Sequence, residues 1–162
     1  MMTAMEKDKV LLSLQNLCMK RECCSSEILK KATASLEGDS VAAQEVLDSL
    51  VADKFVDDAR YAAAFAREKS SLTGWGPAKI RYALIMKGIA RETVTAALGE
   101  IDADAAGAKL EKLVAAKYRT LRGDPYEKFK LIKYALSRGY DYSEVAPVVE
   151  RILMQSLSEE NQ

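Results

Sequence analysis

The stretch "LIMKGIARETVTAAL", residues 84–98, contains the pattern that decides the fold. A cation, Lys87, is followed by Gly88 and an apolar residue, and a new amphipathic run begins a few positions later. Glycine readily takes the left-handed conformation that ends a helix, and a cation beside it favours the negative end of the helix dipole. The stretch therefore predicts a junction between two helices.

The same junction recurs in two other places. "ALSRGYDYSEVAPVV", residues 135–149, has Arg138 before Gly139, and "SLEGDSVAAQEVL", residues 35–47, has Gly38. These glycines are separated by 50 and 51 residues. A constant spacing of this size is typical of tandem copies of one small unit. We therefore predict three copies of a three-helix repeat and an all-α fold.

Apolar residues recur with a helical period along nearly the whole chain, and Leu72 and Leu136 are expected on core-facing sides. "TGWG", residues 73–76, ends one helix, and Pro77 begins the next because its missing N–H costs nothing in a first turn. The glycines are expected to permit the turn. The predicted segments are a flexible N-terminus at 1–9, repeats at 10–55, 56–101 and 102–156, and a flexible C-terminus at 157–162.

Composition argues against several classes of protein. The chain has no His, and its three cysteines lie together at positions 18, 23 and 24, which disfavours catalytic triads, structural zinc and a disulfide framework. Acid pairs such as Asp57–Asp58 are best explained as helix caps. No apolar run approaches the roughly 20 residues that span a bilayer. We expect a cytoplasmic protein without metal, cofactor or enzyme activity.

Charge is unevenly distributed although the formal net charge is zero. Residues 60–91 contain seven Lys/Arg and one carboxylate, and residues 109–138 contain nine Lys/Arg and three carboxylates. This pattern indicates one cationic side, which would attract a polyanion or an acidic protein surface. Solvated helix faces without a partner are the alternative interpretation.

A long ordered motif adds to these patterns. Residues 55–94 read "FVDDARYAAAFAREKSSLTGWGPAKIRYALIMKGIARETV", with Asp-Asp-x-Arg-Tyr-Ala, Gly-Trp-Gly-Pro, Lys-Ile-Arg and Lys-Gly-Ile in order. This stretch resembles the central repeat of the RecX regulatory proteins. "EKFKLIKYALSRGYDYSEV", residues 127–145, is similar to the third repeat of that family, and "KRECCSSEILKKA", residues 20–32, matches the first repeat more loosely.

The resemblance implies an elongated, curved array of three tandem three-helix repeats that acts without catalysis. It implies a protein that binds the RecA recombinase in the groove of the RecA–single-stranded DNA filament. Inhibition of the ATPase, recombinase and coprotease activities of RecA would follow, with a part in regulating DNA repair and the SOS response. Contact with the single-stranded DNA inside the filament and a monomeric state are further expectations.

The expected contact residues are cations and the single Trp of the second and third repeats. We expect the cations to pair with phosphates or carboxylates, and Trp75 to act as an apolar anchor or to pack at a repeat junction. For Arg60, an ion pair with Asp57 or Asp58 is the alternative. A stand-alone helical DNA-binding module that acts without RecA is the second hypothesis. The residues are Arg60, Arg67, Trp75, Lys79, Arg81, Lys87, Arg91, Lys130, Lys133 and Arg138.

Overall fold

The computed structural model describes residues 3–161, and this part of the chain forms nine α-helices, one π-helical segment and no strand. The predicted all-α class is confirmed. Within the same range, no helix is both long and apolar enough to cross a membrane. The helices are α1 (Ala4–Lys20), α2 (Ser25–Ser35), α3 (Ser40–Ala52), α4 (Asp58–Glu68), α5 (Pro77–Met86), α6 (Arg91–Gly99), α7 (Ala103–Leu121), α8 (Glu127–Ser137) and α9 (Tyr142–Glu160), with the π-helical segment at Lys69–Thr73.

The chain divides into two compact units. The first contains the residues up to 64 together with 84–97, and the second contains 65–83 together with the residues from 98 onward. The division falls inside α4, α5 and α6, so the predicted middle repeat, residues 56–101, contributes to both units.

The first unit is built on the three-helix set α1–α3. Its core is formed by Leu14 of α1, Ile28 and Ala32 of α2, and Val46 and Leu50 of α3. Within α2 and α3 these residues lie four positions apart, which is the spacing of one helical face.

The second unit contains the three-helix set α7–α9 and its own core. Leu110 and Val114 of α7 pack with Leu131 of α8 and with Val145 and Val149 of α9. Since α1–α3 and α7–α9 each bury an apolar face within their own set, the structure supports the prediction of three-helix units.

Two leucines expected on core faces are exposed instead. Leu72 is 79% exposed because it lies in the π-helical segment, whose wider turn moves side chains out of the 3.6-residue register. Leu136 is 42% exposed because α8 buries the stripe that contains Leu131 and Ala135, and Leu136 points to one side of it.

Helices extend into both of the terminal segments predicted at 1–9 and 157–162. Within the described residues, α1 already begins at Ala4. The Thr3 side chain accepts a hydrogen bond from the Glu6 N–H, and the Glu6 carboxylate accepts one from the Thr3 N–H. This reciprocal cap stabilises the first turn. At the other end α9 continues to Glu160, and positions 1, 2 and 162 lie outside the described residues.

The first turn of α2 is capped from a distant helix. Its N-cap residue is Cys24, whose side chain makes no capping hydrogen bond. The Ser25 N–H instead donates to the Asp58 carboxylate at 2.7 Å. Asp57 caps α4 by accepting from the Arg60 N–H at 3.1 Å. The Asp57–Asp58 pair therefore caps two helices, which confirms the capping interpretation and extends it.

Candidate partner-binding surface

Two chain corners of the second unit lie against each other. The Gly76 N–H donates to the Arg138 carbonyl at 2.7 Å, and the Ala78 N–H donates to the Gly139 carbonyl at 3.0 Å. The buried Tyr140 hydroxyl donates to the Gly74 carbonyl at 3.2 Å. The corner before α5 is therefore fixed by hydrogen bonds to the corner between α8 and α9, and we call this contact the clasp.

The two glycines of "TGWG" have different functions. Gly74 has φ +75°, so it makes the left-handed turn that the sequence predicts. Gly76 has no such backbone conformation, but a Cβ at this position would lie 2.3 Å from the Gly139 carbonyl oxygen. Gly76 is therefore required by the close approach of two backbones, and the expectation that it serves the turn is wrong.

Trp75, next to the clasp, is half-buried and surrounded by cations. Its ring makes an edge contact with the Phe65 ring, with centroids 6.2 Å apart. The Lys69 and Lys79 ammonium groups lie 4.9 Å and 4.6 Å from the Trp75 ring centroid. Trp75 is thus a packed residue that also holds two cations near the surface, a geometry in which each cation gains about 0.5–1 kcal/mol.

A second aromatic ring in the same unit holds two more cations. The Lys117 ammonium group lies 5.1 Å from the centroid of the Tyr134 ring, and the Arg138 guanidinium lies 5.8 Å from it. Arg138 also provides the carbonyl that Gly76 binds, so this residue connects the second ring to the clasp. The Arg138 Nε atom is buried without an acceptor among residues 3–161.

We call Lys69, Lys79, Lys117 and Arg138 the stacked cations. Among residues 3–161 none of them forms an ion pair, whereas seven other cations do. An aromatic ring holds a cation in place but leaves its full charge to act on an external anion. The paired cations are Lys7, Arg21, Arg60, Arg122, Lys128, Lys130 and Arg151.

The other predicted contact residues of the second unit fall into two groups. Arg67, Arg81 and Lys133 are exposed, and none has an ion-pair partner in the described part of the chain. Lys130 is bound to Asp124 at 2.6 Å. This ion pair, together with the Tyr126 N–H, holds the pKa of Asp124 below its ordinary value.

Arg60, in the first unit, makes contacts within the fold. Its Nε donates to the Glu22 carboxylate at 2.7 Å, and its two terminal nitrogens donate to the carbonyls of Lys54 and Phe55 at 3.1 Å and 3.2 Å. The sequence predicted an ion pair as an alternative, but its partner is Glu22 rather than Asp57 or Asp58. Arg60 therefore connects the α1–α2 and α3–α4 loops.

Lys87 and Arg91 also belong to the first unit. The Lys87 ammonium group hydrogen-bonds the Tyr61 hydroxyl, and burial of this tyrosine still raises its pKa above the ordinary value. The Lys87 carbonyl accepts a hydrogen bond from the Ser26 hydroxyl. Arg91 is the first residue of α6 and is exposed.

Sequence reasoning missed two of the four stacked cations, Lys69 and Lys117. Lys69 is four residues after Phe65 and its ammonium lies 5.6 Å from that ring centroid, so a local signal existed. Lys117 meets Tyr134 only through the packing of α7 on α8, which spacing in the sequence does not reveal.

The chemistry that this surface offers is electrostatic attraction of anions. No group of three or more potential metal ligands occurs among the described residues. Four cations held on two rings beside a fixed backbone contact form a preorganised array, and such an array loses little side-chain freedom when it meets carboxylates or phosphates.

The chain is similar to known proteins over most of its length. A family model described as "RecX, second three-helix domain" matches residues 57–98. A "Regulatory protein RecX" from Clostridium botulinum (strain Alaska E43 / Type E3) is 30% identical over 161 residues, which cover 91% of this chain and 75% of the relative. The chain belongs to the RecX family of regulatory proteins.

Two other RecX proteins are similar to this chain in sequence. Relatives from Clostridium tetani (strain Massachusetts / E88) and Clostridium perfringens (strain 13 / Type A) are both 29% identical, over 71% and 76% of this chain. The matched parts are 54% and 58% of these relatives, so the chain spans little more than half of their length.

Two solved structures share the fold of the chain. RecX from Lactobacillus salivarius aligns with a TM-score of 0.80 and 17% identity over 94% of this chain and 99% of that one. A second structure, of a regulatory protein RecX, aligns with a TM-score of 0.78 and 22% identity over 91% of this chain and 71% of that one.

Proposed function

We propose that this protein binds the RecA–single-stranded DNA filament and inhibits its ATPase, recombinase and coprotease activities. In this way it takes part in the regulation of DNA repair and the SOS response. It acts in the cytoplasm, as a monomer on the filament and without catalysis of its own. Membership of a family of regulatory proteins supports this function.

The stacked cations are the observation that carries the proposal. Lys69, Lys79, Lys117 and Arg138 are without ion pairs within the described chain, and aromatic rings hold them at the clasp of the second unit. Acidic side chains of RecA and phosphates of the DNA inside the filament are both anions that such an array binds. The exposed cations Arg67, Arg81 and Lys133 extend the surface, and Trp75 contributes through the cations that it holds.

The predicted contact residues contribute unequally under this proposal. Arg60 acts through the fold because its guanidinium is engaged by Glu22 and two carbonyls. Lys130 must break its ion pair with Asp124 before it binds an external anion, so its net contribution to the binding free energy is small. Lys87 and Arg91 are secondary contacts from the first unit.

The proposal is tested by the ATPase of RecA on single-stranded DNA, measured as the protein is added at moderate salt. We expect inhibition at protein concentrations below that of RecA. Normal hydrolysis in the presence of folded protein would overturn the proposal. In parallel, fluorescence anisotropy without RecA measures binding to labelled single-stranded and duplex DNA. Tight, salt-sensitive duplex binding would instead favour the stand-alone DNA-binding module.

A further inference from the structure

The first unit exposes an apolar stripe that the proposed function does not use. Met5, Leu12 and Met19 of α1 are 69%, 58% and 75% exposed, and they recur at every seventh position. Seven residues are nearly two turns of an α-helix, so the three side chains lie on one face. Leu14, on the opposite side of the same helix, is buried in the core of the first unit. No part of the described chain therefore covers the stripe.

The middle of the stripe has a shape that suits a second helix. A shallow groove runs along it, and every residue that lines this groove belongs to α1. The short side chains of Ser13 and Asn16 line the groove beside Leu12. In helix pairs a branched apolar side chain of one helix enters such a depression on the other.

The two ends of the stripe carry opposite charges on the same flank. Glu6 lies in the first turn of α1 and Lys20 lies in the last. Each is seven residues from Ser13, which is exposed midway between them. One Glu6 carboxylate oxygen caps Thr3, which leaves the second oxygen as an acceptor. Among residues 3–161 neither Glu6 nor Lys20 forms an ion pair.

We propose that the exposed face of α1 is the contact surface of a weak homodimer, in which the α1 helices of two copies pack antiparallel. A two-fold axis near Ser13 places Glu6 of each copy opposite Lys20 of the other, because both residues are equally far from the axis. Leu12 of each copy then enters the groove of the other. A parallel pair would instead bring together the two first turns, each with Glu6 and Asp8, so like charges would meet.

The contact is small, so the dimer is weak. The 17 residues of α1 make a helix about 25 Å long, and a single pair of such helices buries less than the roughly 1,200 Å² of a standard interface. Lys9 and Asn16 are also exposed on this face, and polar residues at such positions fix the register of a helix pair at a cost in stability. We expect a dissociation constant on the order of 100 µM. Dilution then leaves the monomer that the proposed function requires.

The test is sedimentation equilibrium of the full chain between about 10 µM and about 1 mM. We expect the mean mass to rise from that of one chain towards that of two. Leu12→Ser should weaken the pairing at least about tenfold, because the central apolar contact is lost. The matched control is Val41→Ser, since Val41 lies on α3 of the same unit and is 69% exposed. It should pair as the wild type does.

Two charge variants test the antiparallel orientation. Glu6→Lys and Lys20→Glu each place like charges at both ends of the contact, so each alone should pair about tenfold more weakly at low salt. An equimolar mixture of the two variants should recover most of the pairing. In the mixed dimer, both ends of the contact again join a Lys to a Glu.

Circular dichroism verifies that every variant is folded, including Glu6→Lys, which loses the reciprocal cap with Thr3. Lys20→Glu leaves this cap intact and tests the same charge contact alone. The mass of one chain at every concentration would overturn the proposal and leave the face to a different protein. Equal weakening by Leu12→Ser and Val41→Ser would overturn the assignment of the contact to α1. Absence of recovery in the mixture of folded variants would overturn the antiparallel orientation.

Discussion

Trp75 has a role that the sequence alone left open between packing and partner contact. The structure gives it a packing contact with Phe65 and two lysine ammonium groups against its ring. Its effect on a partner is therefore expected to be indirect, through the positions of Lys69 and Lys79. The same reasoning applies to Tyr134, which holds Lys117 and Arg138.

A substitution at Trp75 tests this packing role. Since the ring is half-buried, Trp75→Ala should lower the free energy of unfolding by about 2 kcal/mol, which is less than the cost at a fully buried site. Trp75→Phe should recover part of the loss. The measurement is urea denaturation followed by circular dichroism.

Tyr82 supplies the control for this experiment because it lies in the same unit and is 66% exposed. Tyr82→Ala should change stability by no more than about 0.5 kcal/mol. Equal effects of the Trp75 and Tyr82 substitutions would show that the Trp75 ring is not packed as described.

The clasp is the main feature at the scale of elements, and two glycines test it. Gly76→Ala places a Cβ 2.3 Å from the Gly139 carbonyl oxygen, where neither backbone can yield easily. We expect a loss of about 3 kcal/mol in the free energy of unfolding, the upper range for overpacking. The measurement is again urea denaturation.

Gly107 provides the opposite case within the same unit. It lies inside α7, and an alanine Cβ at this position would meet no atom beyond its own helix backbone within 4 Å. Because glycine is less favourable than alanine inside a helix, Gly107→Ala should raise stability by about 0.5–1 kcal/mol. Destabilisation by both substitutions to a similar degree would contradict the close backbone approach at the clasp.

The cap on α2 gives a second prediction at this scale. Asp58→Ala removes the acceptor for the Ser25 N–H and should cost about 1 kcal/mol. Asp58→Asn keeps an oxygen acceptor and should cost clearly less. If both variants have the same thermal midpoint as the wild type, the Asp58 cap does not contribute to stability.

Local signals explain how far the sequence predicted these elements. Gly38, Gly88 and Gly139 all have positive φ, as expected for helix ends in the left-handed conformation. Pro77 begins α5 and Asp102 caps α7, because both effects depend only on neighbouring residues.

Features that depend on distant residues were not predictable from local patterns. Asp58 caps a helix that begins 33 residues earlier, and Arg60 pairs with Glu22, which lies 38 residues away in the sequence. Position 76 requires glycine because the Gly139 backbone lies too close for a Cβ. The π-helical segment at Lys69–Thr73 was not predicted because its sequence continues the apolar pattern of α4. For the candidate surface, the sequence predicted Lys79 and Arg138 but not Lys69 or Lys117, and it did not show which of the predicted cations are already paired.

At the scale of the whole molecule, a formal net charge of zero coexists with a local array of cations without ion pairs in the described chain. We expect such a molecule to be steered towards an anionic surface at short range and to have no general affinity for polyanions. Binding energy should therefore depend on which cations are removed and not on how many charges the protein has lost.

Two variants with equal charge isolate this effect. The first changes the four stacked cations Lys69, Lys79, Lys117 and Arg138 to Gln. The second changes four cations that are paired within the fold, Lys7, Arg122, Lys128 and Arg151, to Gln. Both variants lose four positive charges, so they differ only in the positions of the loss. Circular dichroism establishes that both are folded.

The direct measurement is the concentration of each variant that half-inhibits the ATPase of RecA on single-stranded DNA. With about 0.5 kcal/mol per lost contact, the stacked-cation variant should require about thirtyfold more protein than the wild type. The matched control should remain within about threefold of the wild type, which is the effect of about one such contact. Equal potency of the two variants would contradict the claim that the stacked cations form the partner-binding surface.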